Sequence, residues 1–493
     1  MALMQETSRV SVQCLAALLG LLTKQQKQKK YGKIRGKGGE RMQLKYHMVT
    51  IEDLVPEEHL LRKVDAALDL SFVYEETAHL YNQKYGRPPI DPVVMVKYVL
   101  AGFLCGIPSE RQIEQRIRTD MALRWYLGID LDERVPDHST ISQLRRRKPA
   151  FRKVFRRLFE RVAQQCIDMG LASGRLVATD STHVKASASR ASIYLTETAE
   201  EPGAYWERLN TYEEKAGEYL AQKTGKQKKK RIKILKRKPK HPHRRVSRTD
   251  PDAGWLNRAN KPHGMYYLSH QTLDTDHGIV LDVAATAGDA SDKTPYLAQM
   301  ERVMALLPVQ KATADSAYDF GLAHQVLAEH GVSFFVRPMA SEPHPSVEFR
   351  REHFQYDQDS DCFRCPNGKE LPLTRVSRSA GSSLHWVYSA QKADCQSCPM
   401  KDQCLNKSLK DKARRLTRSV FEDAAQKNLS QADSPEYQQA LRLRQIWCEG
   451  TFAIQKWSHN LTRVLRRGFE AAEDHCLLSA TALNLKRMIK CMG

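Results

Sequence analysis

The spacing of apolar residues changes character along the chain, and each change predicts a different kind of structure. From Ile51 to about Leu171 the period is helical. Leu60, Leu61, Val64, Ala67 and Leu68 follow a Pro56-Glu57-Glu58 opening, and Val93, Val94, Val96, Val99, Leu100 and Phe103 follow an Asp91-Pro92 cap. Ser109-Glu110-Arg111 opens another helix, and Asp137-His138-Ser139-Thr140 caps a short one over Ile141–Arg147. From Leu176 the pattern shifts to short apolar and β-branched runs. Leu176–Thr179, Gly264–Gln271, Gly278–Ala285, Ala312–Ala314 and Ser333–Val336 predict strands, the middle pair a hairpin turning at Asp276-His277-Gly278. Ser291-Asp292 caps a helix through Leu306, and Asp319 caps the next. The order strand, insertion, hairpin, helix, strand, helix, strand predicts an α/β domain with a mixed sheet. Helical period returns over Pro435–Lys456 and Glu473–Met488.

These shifts divide the chain into a helical region, 48–171, the first part of an α/β core, 172–338, an interruption, 339–430, and C-terminal helices completing the core, 431–493. Residues 1–47 carry no such organisation: Lys24–Lys45 mixes Lys, Gln and Gly without apolar period, as a flexible basic arm or a start codon assigned too early would. The core is itself interrupted by a basic insertion, 190–260. There a polar helix over Glu197–Ala221 leads into Lys223–Arg248, where 14 of 26 residues are Lys or Arg. Charge that dense stays solvated or lies along a polyanion.

Composition points the same way. Lys and Arg total 78 against 57 acids, a net charge of +21, so nucleic acid is a better partner than a membrane surface. No run of about 18 apolar residues crosses a bilayer, and Val10–Leu22 has little positive charge before it and no clear cleavage site, which predicts no membrane span or signal peptide; eleven cysteines, five of them within Cys362–Cys404, fit a reducing cytoplasm better than a disulfide-framed secreted scaffold. Arg145, Arg146, Arg147 and Lys148 end the short capped helix as in the second half of a helix-turn-helix; a solvated basic helix end reads the same, and phosphate contact suits both.

Three features carry chemistry. Asp180 and Asp315 each end a predicted buried strand in an Asp-Ser pair, and a carboxylate there is costly unless it is paired or binds a cation. Two such strands side by side offer the oxygen-only environment that Mg²⁺ prefers. Cys362-x₂-Cys365 and Cys395-x₂-Cys398, with Cys404 as a fifth sulfur, have the spacing of a structural zinc knot and leave the fourth ligand open. Reduced, buried thiols are the alternative. In the Pro435–Lys456 helix, Arg442, Glu449 and Lys456 lie seven apart on one face, as in a surface charge ladder or a functional stripe; Arg463, Arg466 and Arg467 extend the basic character.

Together, VATDSTHVKA, TADSAYDF and WCEGTFAIQKWSHNLTRVLRRG resemble the three acid-bearing segments of the DDE transposases of bacterial insertion sequences, in a subgroup with a helical N-terminal domain and a Cys-rich, zinc-ribbon-like insertion. The resemblance runs from about Met48 to the C-terminus. It implies an RNase H-like core with the first Asp on the first strand, the second on the fourth and the Glu on a later helix. It further implies that Asp180, Asp315 and Glu449 hold two catalytic Mg²⁺ ions and that double-stranded DNA, transposon ends and target alike, is cut and joined by a dimer or higher assembly in the bacterial nucleoid. Within the subgroup signature Y-x₂-R-x₃-E-x₆-K, Glu449 and Lys456 match; Arg442 stands in the Tyr place, Gln445 in the Arg place, and Arg444 is one residue off. Lys456 and Arg444 are thereby DNA-contact candidates beside Arg145, Arg146 and Arg147. The family's cysteine pattern favours Cys365, Cys395, Cys398 and Cys404 as the zinc ligands. A nuclease or resolvase on the same core, or an inactive DNA-binding relic, would share most of these features.

Overall fold

All the secondary structure among the described residues lies within one unit, Ile51–Gly493. The computed structural model describes residues 48–81, 90–147, 150–197, 204–225, 243–258, 261–339, 348–378, 383–405 and 412–492. The expected N-terminal arm and most of the Lys-rich stretch, 226–242, lie outside them.

Among the described residues, eight α-helices open the unit: α1 (Ile51–Leu54), α2 (Leu60–Ala67), α3 (Phe72–Thr77), α4 (Pro92–Leu104), α5 (Glu110–Thr119), α6 (Met121–Leu127), α7 (His138–Arg147) and α8 (Ala150–Asp168). Two sequence-predicted caps hold. The Asp91 side chain accepts from Val93 N and Val94 N, and Ser109 accepts from Gln112 N. The opening at Pro56-Glu57-Glu58 is displaced, since α2 begins at Leu60 with His59 as its cap.

The core sheet holds β1 (Val177–Lys185), β4 (Gly254–Leu256), β5 (Gly264–Asp274), β6 (Val280–Ala287), β7 (Lys311–Ala314) and β8 (Ser333–Val336), after β2 (Ile193–Glu197) and β3 (His243–Ser247) form a separate two-stranded ribbon. Its path is β4-β5-β1-β7-β8, with β6 also on β5. β1, β5 and β6 pair antiparallel, whereas β7 and β8 run parallel to β1. Helix α9 (Ala204–Thr224) lies in the insertion, α10 (Lys293–Leu306) links β6 to β7, and α11 (Gly321–Glu329) links β7 to β8. One expectation is corrected: Asp180 does not end its strand. β1 continues to Lys185 because β5 pairs with it along the whole length, Val177↔Asp274 to Lys185↔Tyr266.

The interruption builds a second sheet, β13-β12-β11-β10-β9, from β9 (Gln355–Asp357), β10 (Cys362–Arg364), β11 (Glu370–Arg378), β12 (Leu384–Ser389) and β13 (Arg415–Ser419), with two short helical turns, Lys392–Gln396 and Lys401–Cys404. The chain then runs through α12 (Glu422–Leu429), α13 (Pro435–Arg444), a π-helical turn (Gln445–Glu449), α14 (Gly450–Ser458) and α15 (Phe469–Cys491).

Helix α15 is buried on nearly every side, as a helix apolar all round must be. Its Leu478, Ala482, Leu485 and Ile489 share one apolar cluster with Leu61, Val96 and Phe155 of the helical region and with Leu281 and Met300 beside the sheet. It also closes the outer edge of β6: Asn484 Oδ1 accepts from Val280 N at 2.9 Å, and Asn484 Nδ2 donates to Val280 O at 2.8 Å. Asn484→Ala leaves two buried backbone groups unpaired and should cost roughly 2–4 kcal/mol, read as a lower urea midpoint at unchanged m.

Candidate active site

The parallel ladder between β1 and β7 runs Val177↔Ala312, Ala178↔Thr313 and Thr179↔Ala314, then stops. One further step would be Asp180 beside Asp315. The two acids therefore stand together where β7 leaves the sheet, the crevice at the carboxyl ends of parallel strands where α/β sheets place their ligands. β7 ends because Asp315 Oδ1 accepts from Ala317 N at 2.9 Å and starts a single 3₁₀ turn, Ser316–Tyr318.

Strand alternation decides what lies above and below. Thr179 points to the α10 side, where its hydroxyl meets Thr272 at 2.9 Å and the Met300 sulfur at 3.9 Å. Ala178 and Asp180 point to the other side, covered by α13, the π turn and α14. There Ala178 and its cross-strand neighbour Leu273 pack on Cys448. Gln271, opposite Asp180, forms a reciprocal amide pair with Gln455: Gln271 Nε2 donates at 2.9 Å and Gln455 Nε2 at 2.7 Å, and Ser479 Oγ donates to Gln455 Oε1 at 3.1 Å. This buried network fixes the register of the Glu449-bearing helix on the sheet.

The π turn alters the face on which that helix presents its charges. Its hydrogen bonds reach back five residues instead of four, so one extra residue is wound in between Arg444 and Gly450. Arg442, Glu449 and Lys456 consequently do not form one stripe, because everything before the turn is rotated by about 100°. Arg442 and Gln445 are exposed, and Arg444 turns inward to donate from Nη1 to Asp180 Oδ2 at 2.9 Å. Arg444 thus takes the position beneath Glu449 that linear counting assigns to Gln445.

Burial first, and then the Asp315 carboxylate, push Asp180 up to about 6 in spite of Arg444. Burial raises Asp315 as well, with Asp292 adding to it. Sequence reasoning missed Asp292 as part of this site, because Ser291-Asp292 reads as a helix cap. Its side chain makes no capping bond; it accepts instead from Ser181 Oγ at 2.8 Å and Arg258 Nη1 at 2.6 Å. Glu449 is exposed, and among the described residues its carboxylate has no ion-pair or hydrogen-bond partner.

Two desolvated carboxylates, one of them bonded to a guanidinium, form a hard oxygen donor set with excess negative charge, which fits a divalent cation. Asp180, Asp315 and Glu449 do not all approach within 4.8 Å of one another; Glu114, Asp137 and His138 do so among the described residues. That second group lies in the helical region and serves its packing. Glu114 Oε2 accepts His138 N at 3.0 Å and meets His138 Nδ1 at 2.6 Å, tying α7 to α5.

Basic side chains adjoin the acids. Lys456 is half-buried near Lys261 and His183; burial, then Lys261, lowers Lys456, and burial, then the two lysines, hold His183 down at about 4. No acid pairs with Lys456 among the described residues. Of the α7 candidates, Arg146 is exposed on a polar groove with Gln143, Arg466 and Arg467. The Arg147 side chain lies outside the described residues. The phosphate-contact expectation fails for Arg145: its side chain is 5% exposed and donates from Nη1 to Glu110 Oε1 at 2.8 Å, pinning α7 onto α5.

In the second sheet, Cys365, Cys395, Cys398 and Cys404 line one cavity. Backbone N–H groups of Lys369 and Arg414 point at Cys365 Sγ (3.3 Å) and Cys395 Sγ (3.4 Å), as they do around thiolates. Burial raises Cys404, and the other three sulfurs add to it. Cys362 is buried in β10 against Ser360 Oγ, 3.0 Å away, and is not on this cavity.

Comparison with known proteins finds two family models. Residues 49–147 match the family model described as Transposase domain (DUF772), and residues 364–489, which include Glu449 and the four cysteines, match Transposase DDE domain. Both models describe transposase domains, the second of the DDE type, and these two stretches make the chain similar to DDE transposases. Among solved structures, a piggyBac transposase synaptic complex with hairpin DNA aligns over 88% of this chain and 74% of that one, at 8% identity and a TM-score of 0.32. Comparison with curated proteins gives no match.

The raised Asp180 value predicts a pH effect. The native carboxyl holds its proton up to about pH 6 while the unfolded one releases it near 3.8, so ionisation opposes folding. The cost is absent below the unfolded value, grows through that window and is complete above about pH 6. In chelator, Asp180→Asn should gain stability relative to wild type as pH rises from about 4 to about 7, by on the order of 1–3 kcal/mol in urea unfolding. A difference that stays flat with pH would contradict this.

Proposed function

We propose that the protein is the transposase of a bacterial insertion sequence, binding terminal inverted repeats, cutting the element's ends and joining them to target DNA. The observation that carries this reading is the register that brings Asp180 and Asp315, both desolvated, to adjacent positions in a chain similar to DDE transposases. These two acids, with Glu449 swung in from its exposed position, would hold two Mg²⁺ ions. Such a pair, when bound, activates the attacking hydroxyl and neutralises the leaving oxygen of an in-line displacement at phosphorus. Asp180 presents its oxygens from within β1 and Asp315 from the residue that follows the paired strand β7, so their positions are set before DNA arrives. Lys456, Lys261 and His183 continue away from the acids as a counter-ion-poor surface for phosphates, and Arg146 with Arg467 serves the same end on the groove beside α7. Water serves as nucleophile in end cleavage and the freed 3′-hydroxyl in joining, with no covalent enzyme–DNA intermediate. Two ends must be cut together, so the working form is a dimer or larger on DNA.

Labelled candidate ends from the element's flanks, incubated with Mg²⁺ or chelator, test the reading. Asp180→Asn should lose metal-dependent cleavage and keep end binding; cleavage retained by this variant rejects the assignment. A pre-cut 3′ end should be joined to target DNA by wild type, whereas a nuclease or resolvase would not join it.

In the second sheet, Cys365, Cys395, Cys398 and Cys404 would hold one structural Zn²⁺ that folds the insertion and takes no part in catalysis. Elemental analysis should find one zinc per chain in wild type and in Cys362→Ser. Cys398→Ser should lose the metal, with increased proteolysis confined to the second sheet.

A further inference from the structure

Both oxygens of Asp180 are occupied. Oδ1 accepts the Ser181 backbone N–H at 2.7 Å, and Oδ2 accepts Arg444 Nη1 at 2.9 Å. The Arg444 contact is single-pronged, short of the two-pronged fork by which a guanidinium grips a carboxylate most firmly. Both side chains are largely enclosed, Arg444 at 18% exposure and Asp180 at 16%, so neither is screened by bulk water. The neighbouring charges are Asp315 one step along the ladder, Glu449 one π turn up the same helix, and Asp292, whose own partner is the Arg258 guanidinium. Arg444 is therefore the cation bonded to Asp180, while Arg258 is held by Asp292.

We propose that Arg444 is an exchangeable counter-ion that couples metal loading to DNA engagement. The inference rests on the reading of Asp180 as a metal ligand. A guanidinium and a divalent cation compete for the same carboxylate lone pair, and a cation arriving at Asp180 removes the electrostatic reason for Arg444 to remain. Arg444 then needs another anion, and the DNA backbone supplies phosphates beside the acids. DNA that draws Arg444 away frees Asp180 Oδ2, so phosphate binding and metal binding favour each other. By linkage the coupling is reciprocal: DNA tightens metal binding by the factor by which metal tightens DNA binding. A free transposase stays neutralised by its own side chain and assembles its reactive centre on DNA.

The opposite role, a fixed brace that orients Asp180 for the metal, predicts the opposite sign. Mn²⁺ binding to the full chain, followed by electron paramagnetic resonance with and without a mixed-sequence DNA duplex, separates the two. Asp180→Asn supplies the background from Mn²⁺ bound to DNA itself. For wild type, the duplex should tighten Mn²⁺ at the protein site by roughly tenfold. Arg444→Gln should bind Mn²⁺ more tightly than wild type without DNA and lose most of that gain with it. Weaker Mn²⁺ binding by Arg444→Gln, or an undiminished DNA effect, overturns the proposal while leaving the metal site standing. Wild type indistinguishable from Asp180→Asn, with and without DNA, overturns the metal-site reading itself. Circular dichroism of Arg444→Gln checks that the helices are retained, and Arg444→Lys, which keeps the charge, should restore part of the coupling.

Discussion

Two like charges held out of water on neighbouring strands are the constraint that shapes this protein's centre. Asp180 and Asp315 are brought together by backbone register, which no side-chain rotation can relax. Neither is fully compensated: Arg444 reaches one, a single backbone N–H the other. A fold that maintains such repulsion has to be stiff elsewhere, and the stiffness lies directly opposite, in the Gln271–Gln455 amide pair and the β5 ladder along all of β1. Carboxylates on strands and a glutamate on a helix also differ in freedom. The first two are set by the sheet, whereas Glu449 is exposed on its helix.

Much of the core is legible in the sequence because strands this buried leave an unmistakable record. Ser333–Val336 forms as read, the hairpin turns where Asp276-His277-Gly278 says it should, and the Asp91 and Ser109 caps close as expected. The failures have identifiable physical causes. Apolar runs mark where a strand is covered on both faces but not where pairing ends, so the pattern stops β1 at Asp180 although β5 carries it to Lys185. A run of arginines at a helix end reads as solvent-facing, yet helical period sends one of them inward, and Arg145 satisfies itself on Glu110. Asp292 has the sequence position of a cap and the partners of a site residue, which no local pattern reveals.

The helical region and the sheet do not meet as two separate lobes. A single apolar cluster takes side chains from Leu61 through Ile489, and α15 runs through it. His459 and Asn460, just past α14, bond back to Phe103 and Gly102 of α4, so the segment following the Glu449 helix is tied to the helical region as well as to the core. Displacement of the helical region would be felt by the helix carrying Glu449.

The slipped turn between Arg444 and Gly450 has a consequence for how such chains are compared. Fixed-length patterns assume constant pitch, and here pitch changes between Arg444 and Gly450, so a side chain can stand in space where counting would put its neighbour. Alignment by angular phase, turn by turn, would recover equivalences that alignment by column discards.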